Sequence, residues 1–434
     1  MQSRRPQEPT LCLVHCVDAE GPMEEPLEAT FDRLRQEKGL DLEPSLARLQ
    51  ALQRGGIDLG GREQEIACFL APRRLDYLTT WREVEAMLDQ ATSPAFRRAR
   101  PDSDGNPYLY SWFVIDVVGY ADNPRRKAAG FHAVWDQYAR FLAGNPFGDA
   151  LGWHFHVVPV GGHALEYNTC WTNNDWHEQA LARRLLERSW FPALWRAGGV
   201  VQRIDQSFWL EQFIPFDYSS QALAGPCPIG GPGEQSDWRG APARWRPYHP
   251  SFYDYRAEGN MRRWIFRCLD VDTHACSLSQ DDVDAAFDQA AQEGVAVLAY
   301  TCHDRRDIRP VVNRAWDMIQ AGSRRRPEVR LRHTGADTAA RLACGLPDRE
   351  PPRFRLTRDG DLIRIAADRP LFGPHPFLAV QEEGGVFYRD NPTMESDTAW
   401  AYRLARPGKT VKVGVAGCGP EGRAGVAVLA MEKP

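Results

Sequence analysis

Between about residues 11 and 345, short apolar runs alternate with stretches whose apolar positions recur at helical spacing. Strands are predicted at LCLVHCV (11–17), YLYSWFVIDVV (108–118), ALGWHFHVV (150–158), PALWRAGG (192–199), RRWIFRCLDV (262–271), VAVLAYTCH (295–303) and EVRLRH (328–333). These runs are short, apolar and mostly rich in aromatic or β-branched residues. Helices are predicted near 28–38, 43–54, 125–144, 174–190, 207–214, 279–294, 310–321 and 335–344. Ser279 and Gly294 bracket one of them as cap and stop, Gly144 ends another, and Asn173 or Asn174 is placed to start a third. PFDYSS (215–220) follows the 207–214 helix, and 221–250, rich in Gly, Pro and Trp, reads as a long loop.

Such alternation implies parallel strands joined by helices. An α/β fold of the (β/α) barrel kind, with six or seven units, fits the count. A doubly wound open sheet is the second choice, but no GxGxxG follows an early strand. In either architecture the active site lies at the carboxyl ends of the strands. After Pro347 the rhythm changes: a Pro- and charge-rich linker leads into short alternating strands with turn signals such as Asp359-Gly360. The pattern therefore predicts a barrel over residues 1–346 and a small β-sandwich of at least six strands over 347–434.

Composition narrows the function classes. Apolar residues make up 43% and charged residues 26%, as in ordinary globular proteins, and the net charge of −5 argues against a nucleic-acid binder working through bulk positive charge. Fourteen Trp mildly favour a carbohydrate partner, since indole rings serve as platforms for sugars as well as core filling. No stretch of 18 apolar residues is present, so no integral membrane segment is expected, and the run at 11–17 suits a strand better than a signal-peptide core. The ten Cys are scattered without a CxxC, which suits free thiols in a reducing cytoplasm. Nothing in the chain sets an oligomeric state.

Candidate chemistry gathers at predicted strand ends. In VDAEGP (17–22), Asp18 and Glu20 stand two residues apart, so an extended chain turns both to one side, where two close acids call for a cation or a shared proton. A solvated acidic loop is the competing reading. In GWHFHVVPVGGH (152–163), His154 and His156 have the same spacing and can both face one ion. The alternative is one core and one surface histidine. His163 lies beyond two glycines and reads as solvated or substrate-facing. YTCHDRRD (300–307) offers His303 as a general acid, with Asp304 beside it, or an exposed histidine next to a cap. Arg196 in WRAGG can orient a carboxylate or form an ordinary ion pair. No GxSxG elbow or P-loop occurs.

The order VDAEGP, GWHFHVVP, FPALWRAGG with WLEQFIPFDYSS, then VLAYTCHD resembles the polysaccharide deacetylases of the NodB type. It is most similar to the branch found in surface-polysaccharide gene clusters, with Asp-x-Glu and His-x-His motifs. The resemblance spans roughly residues 11–345. It implies a distorted (β/α)7 barrel and a metal-dependent carbohydrate deacetylase, a hydrolase of non-peptide C–N bonds or of esters, acting on a sugar or sugar-lipid precursor. It also implies that Asp18 is the base, that Glu20, His154 and His156 hold the metal, that Arg196 orients the base, and that His303, with Asp304 behind it, protonates the leaving group. The common family form has two adjacent Asp and a longer histidine spacing. Here Ala19 intervenes, so Asp18 and Glu20 could exchange base and ligand roles. Imidazole content favours Zn2+, although Mn2+, Co2+ or Ni2+ would be accepted by the same ligands. A deformylase, and an inactive sugar-binding protein on the same scaffold, are the alternatives. A glycosidase is less well served, because Asp18 and Glu20 are too close in sequence to flank a glycosidic bond.

Overall fold

The computed structural model describes residues 8–166, 170–224, 237–271 and 277–431. Seven strands, β1 (Thr10–Ala19), β2 (Tyr110–Ile115), β3 (Ala150–Phe155), β4 (Leu194–Ala197), β5 (Phe216–Ser220), β6 (Trp264–Asp270) and β7 (Val295–His303), pair in parallel in that order, and β7 returns to β1. The result is a closed parallel barrel with helices around it. An eighth strand, β8 (Arg330–His333), pairs with Thr10–Leu13 of β1, while β2 pairs only with His15–Ala19. The barrel is thus spread at its amino end by a wedge.

Burial on both faces explains why β1 is a continuous apolar run. Its alternate residues serve two cores. Leu11, Leu13, Val17 and Ala19 pack outward among Val283, Phe287, Val312 and Ile319 of the covering helices. Cys12, Val14 and Cys16 pack with Phe113, Leu194, Tyr218, Cys268, Val297 and Ala299. By the two-residue period, Asp18 continues this second row. Register sets the neighbours: Asp18 pairs with His303, and His154 with Arg196. Four of the residues singled out above therefore stand at the carboxyl ends of four strands.

Several elements differ from the pattern. The helix expected over 125–144 is confined to Trp135–Ala143. Before it the chain turns through Arg126 (φ 43°) and Gly130 (φ 138°), and the Gly130 amide donates to the Val117 carbonyl. A loop therefore replaces the first half of that helix and carries Lys127. Strand β3 stops at Phe155, which leaves His156 just beyond it. Between β1 and β2 the structure adds helices at Glu63–Phe69, Pro72–Leu75, Trp81–Ala91 and Pro94–Arg98. Gln280–Glu293 forms as expected, with the Ser279 hydroxyl accepting from the Asp282 amide and Gly294 at φ 87°. Part of the 221–250 loop lies outside the described residues.

The carboxyl-terminal strands are β9 (Phe354–Asp359), β10 (Leu362–Ala367), β11 (Phe377–Glu382), β12 (Val386–Asp390), β13 (Thr393–Ser396), β14 (Ala399–Arg403), β15 (Thr410–Cys418) and β16 (Ala424–Ala430). They form two antiparallel sheets, ordered β13-β14-β10-β9 and β12-β11-β15-β16. Ile363, Ile365, Trp400 and Tyr402 of one sheet share a core with Leu378, Val380, Val413 and Val415 of the other. The opposite side of the second sheet is also apolar. Phe377, Ala379, Phe387 and Ala416 join Leu185 and Leu186 of the helix Trp176–Arg188, and the same cluster holds Trp153, Phe155 and Trp195 of β3 and β4. The strands that carry the histidine and arginine motifs are thus backed in turn by a helix and a sheet. Among the described residues no helix is long and apolar enough to cross a membrane.

Candidate metal centre

Glu20, His154 and His156 converge at the end of the barrel, all buried. The His154 and His156 Nε2 atoms are 3.2 Å apart, and each lies 3.7 Å from Glu20 Oε1. Tetrahedral donors at roughly 2.05 Å from an ion stand about 3.3 Å from one another, so this triangle fits a divalent cation with a position left open. His154 Nδ1 donates to the Arg196 carbonyl at 3.0 Å, which leaves Nε2 as the lone-pair nitrogen. Burial holds the His156 ring down at about 3, so it too offers a neutral nitrogen.

Glu20 is held from several sides. Its Oε2 meets Lys127 Nζ at 2.8 Å and Arg305 Nη1 at 3.0 Å, while Oε1 faces the imidazoles. Burial alone would raise the carboxyl, but Lys127 and Arg305 overcome it and keep the group well below the usual carboxylate range. Its backbone is fixed by Asp304, which accepts from the Glu20 amide at 2.7 Å, from the Gly21 amide at 2.9 Å and from the Tyr138 hydroxyl. Gly21 takes φ 73°, the left-handed conformation that lets both amides turn to one carboxylate.

Asp18 has a different partner. Arg196 Nε donates to its two oxygens at 2.7 and 3.0 Å, and Arg196 Nη1 donates to the Tyr218 carbonyl at 2.8 Å. The Ala197 amide donates to the Ser219 hydroxyl at 2.8 Å, so the FDYSS strand positions the WRAGG strand beside it. Gly198 answers for the first glycine of that motif. A Cβ there would lie 2.6 Å from the His156 Cα and press on the His156 ring. His303 Nε2 stands 3.6 Å from Asp18 Oδ2, and its buried Nδ1 has no hydrogen-bond partner among the described residues.

No protein-family model and no curated protein matches the chain. Among solved structures, a carbohydrate acetylesterase from Xanthomonas citri is similar at 12% identity, over 97% of this chain and 78% of that one, with a TM-score of 0.17. An engineered protein is similar at 8% identity, over 99% and 94%, also at 0.17. At that TM-score neither likeness carries an argument about this protein, and the site stands on its own geometry.

The structure brings Asp18, Glu20, His154, His156, Arg196 and His303 together. It does not place Asp304 behind His303: the Asp304 carboxylate serves the Glu20–Gly21 backbone and Tyr138 instead. Successive residues of an extended chain face opposite ways, so neighbours in sequence are poorly placed to act in line. His163 is 60% exposed and pairs with Asp122 at 3.2 Å, away from the cluster. Lys127 and Tyr138 were not marked by the sequence, and Arg305, within YTCHDRRD, was read as a possible cap rather than as a partner of Glu20. Lys127 and Tyr138 meet the site from segments with no chemical motif of their own, and only the turn that breaks the 125–144 helix brings Lys127 in.

Proposed function

We propose that this protein is a metal-dependent hydrolase of the polysaccharide-deacetylase type, removing an N- or O-acyl group, acetyl first among them, from a carbohydrate or sugar-lipid precursor. The observation that carries the reading is the convergence of Asp18, Glu20, His154, His156, Arg196 and His303, drawn from four separate stretches, at one end of a closed parallel barrel. Glu20, His154 and His156 would hold the ion, with Zn2+ favoured by the two imidazoles. A divalent ion bound there supplies a Lewis acid for an acyl carbonyl and acidifies water.

The chain's own groups would then move the protons. Arg196 holds Asp18 by both carboxylate oxygens, which makes Asp18 the positioned base. Burial, then Arg305, keeps the His303 ring well below the usual imidazole range, so the resting ring is neutral. The proton it hands to the leaving amine or alcohol is therefore one released during the reaction, and Asp18 is the adjacent carboxylate that can pass it on.

The test is metal content by mass spectrometry, followed by acetate release from acetylated sugars with and without a chelator. Bound metal, chelator-sensitive release and loss of both in His154→Ala are expected. Protein that binds no metal and releases acetate regardless of chelation refutes the proposal.

A further inference from the structure

The two cations on Glu20 outnumber the charge they neutralise. Asp18 is matched by Arg196, and behind the site Arg33 and Arg125 are matched by Glu25 and Glu37. Lys127 and Arg305 share one carboxylate, Glu20. The Asp304 carboxylate is already taken by the Glu20 and Gly21 amides and the Tyr138 hydroxyl. A divalent ion on the other oxygen of Glu20 would widen the surplus. Charge confined to a poorly solvated site is costly unless it is compensated.

The two cations are also placed to be met. Lys127 comes from the loop after β2 and Arg305 from the turn after β7, the strands on either side of β1. They close over Glu20 from both sides. Asp18, Glu20 and His154 are almost wholly buried, whereas the side chains of Lys127 and Arg305 keep 13% and 14% exposure, beside His156 at 11% and His303 at 14%. An incoming molecule therefore meets two cations flanked by two imidazoles. Both have donors to spare. A lysine carries three and an arginine five, and the buried Arg305 Nε has no hydrogen-bond partner among the described residues. A guanidinium fork matches the oxygens of a carboxylate or a phosphate.

We propose that Lys127 and Arg305 form a recognition edge for an anionic group of the substrate, a carboxylate or a phosphate ester, lying beside the acyl group. The proposal rests on the hydrolase reading for the bond that is cut, but not for the charge that is recognised.

Titration calorimetry on the full-length protein, stripped of metal and again loaded with Zn2+, tests it with three probes: N-acetylglucosamine, its phosphate ester and its uronate. At least one anionic probe should bind roughly tenfold or more tightly than the uncharged sugar in both states. The one that does so distinguishes phosphate from carboxylate. Arg305→Gln and Lys127→Gln, checked for folding by thermal melting, should lose that preference. Wild-type protein that shows no preference for either anion overturns the proposal without recourse to a variant. A preference seen only with Zn2+, or one surviving in both variants, also overturns it, because the anion then sits on the ion or elsewhere. Failure of the metal reading would appear separately, as absence of Zn2+ binding before any sugar is added.

Discussion

Gly198→Ala should remove most of the metal affinity although Gly198 ligates nothing. Gly198 follows the end of β4 and His156 follows the end of β3, one rung beyond the registered pairs His154–Arg196 and Phe155–Ala197. An added Cβ would stand 2.6 Å from the His156 Cα. Carbon atoms rest at about 3.5–4.0 Å, so relief requires a movement of about 1 Å. Ring rotation cannot supply it, because the opposing atom belongs to the backbone. Metal–ligand distances tolerate only about 0.2 Å, so His156 would leave the donor triangle. The Zn2+ affinity should fall by about 10–100-fold or more, approaching that of His156→Ala, with about 1–3 kcal/mol of overpacking cost in the metal-free protein. Competition with a chromophoric chelator gives the affinity, and urea unfolding of the stripped protein gives the stability. If His156→Ala binds Zn2+ as wild type does, the ligand set is wrong. If His156→Ala loses affinity and Gly198→Ala does not, the packing argument is wrong.

Three other outcomes follow from the same geometry. Asp304→Ala strands the Glu20 and Gly21 amides and the Tyr138 hydroxyl without their acceptor, and should cost at least about 2 kcal/mol in urea unfolding, whereas Tyr138→Phe removes one donor and should cost about 1 kcal/mol. Arg196→Met leaves the Asp18 carboxylate buried without its cation; a loss of about 3–5 kcal/mol and of acetate release is expected, and equal stability would refute the pairing. Burial holds His15, His177 and His333 down at about 3, 3 and 4, below the value of about 6.5 that they regain on unfolding. The unfolded chain therefore binds protons first: stability is full above about pH 6.5 and falls toward about pH 4, by about 1.4 kcal/mol per pH unit for each ring. Urea midpoints that stay level between pH 7 and pH 5 would refute it.

The legible parts of this protein are those in which local spacing and final geometry coincide. β1 and β7 are long apolar runs because a barrel strand is covered on both faces, and they pair along nearly their whole length. Asp-x-Glu and His-x-His could be read as a site because residues two apart share a side of an extended chain, and this survives even where β3 ends at Phe155 and His156 lies beyond it. The helix over 125–144 was the counterpart failure. Its apolar spacing runs on through a segment whose backbone is set by a long-range contact, the Gly130 amide on the Val117 carbonyl, and periodicity has no access to such a contact. Lys127 was illegible for the same reason.

The exchange of roles that Ala19 leaves open between Asp18 and Glu20 is disfavoured by how differently the two acids are held. Glu20 faces the Nε2 atoms of both histidines, while His154 presents to Asp18 only its Nδ1, at 3.7 Å, and that nitrogen already donates to the Arg196 carbonyl. For Asp18 to become the ligand, it would have to leave Arg196, or draw along an arginine that is also tied to the Tyr218 carbonyl, and His154 would have to turn over and give up its own hydrogen bond. Glu20 would at the same time have to leave Lys127 and Arg305 while its backbone stayed pinned by Asp304. Each of those contacts is buried or nearly so, and a buried charge or donor left without its partner is the costly case. In the proposed site, two carboxylates two residues apart are thus given separate tasks by the groups around them rather than by their place in the chain.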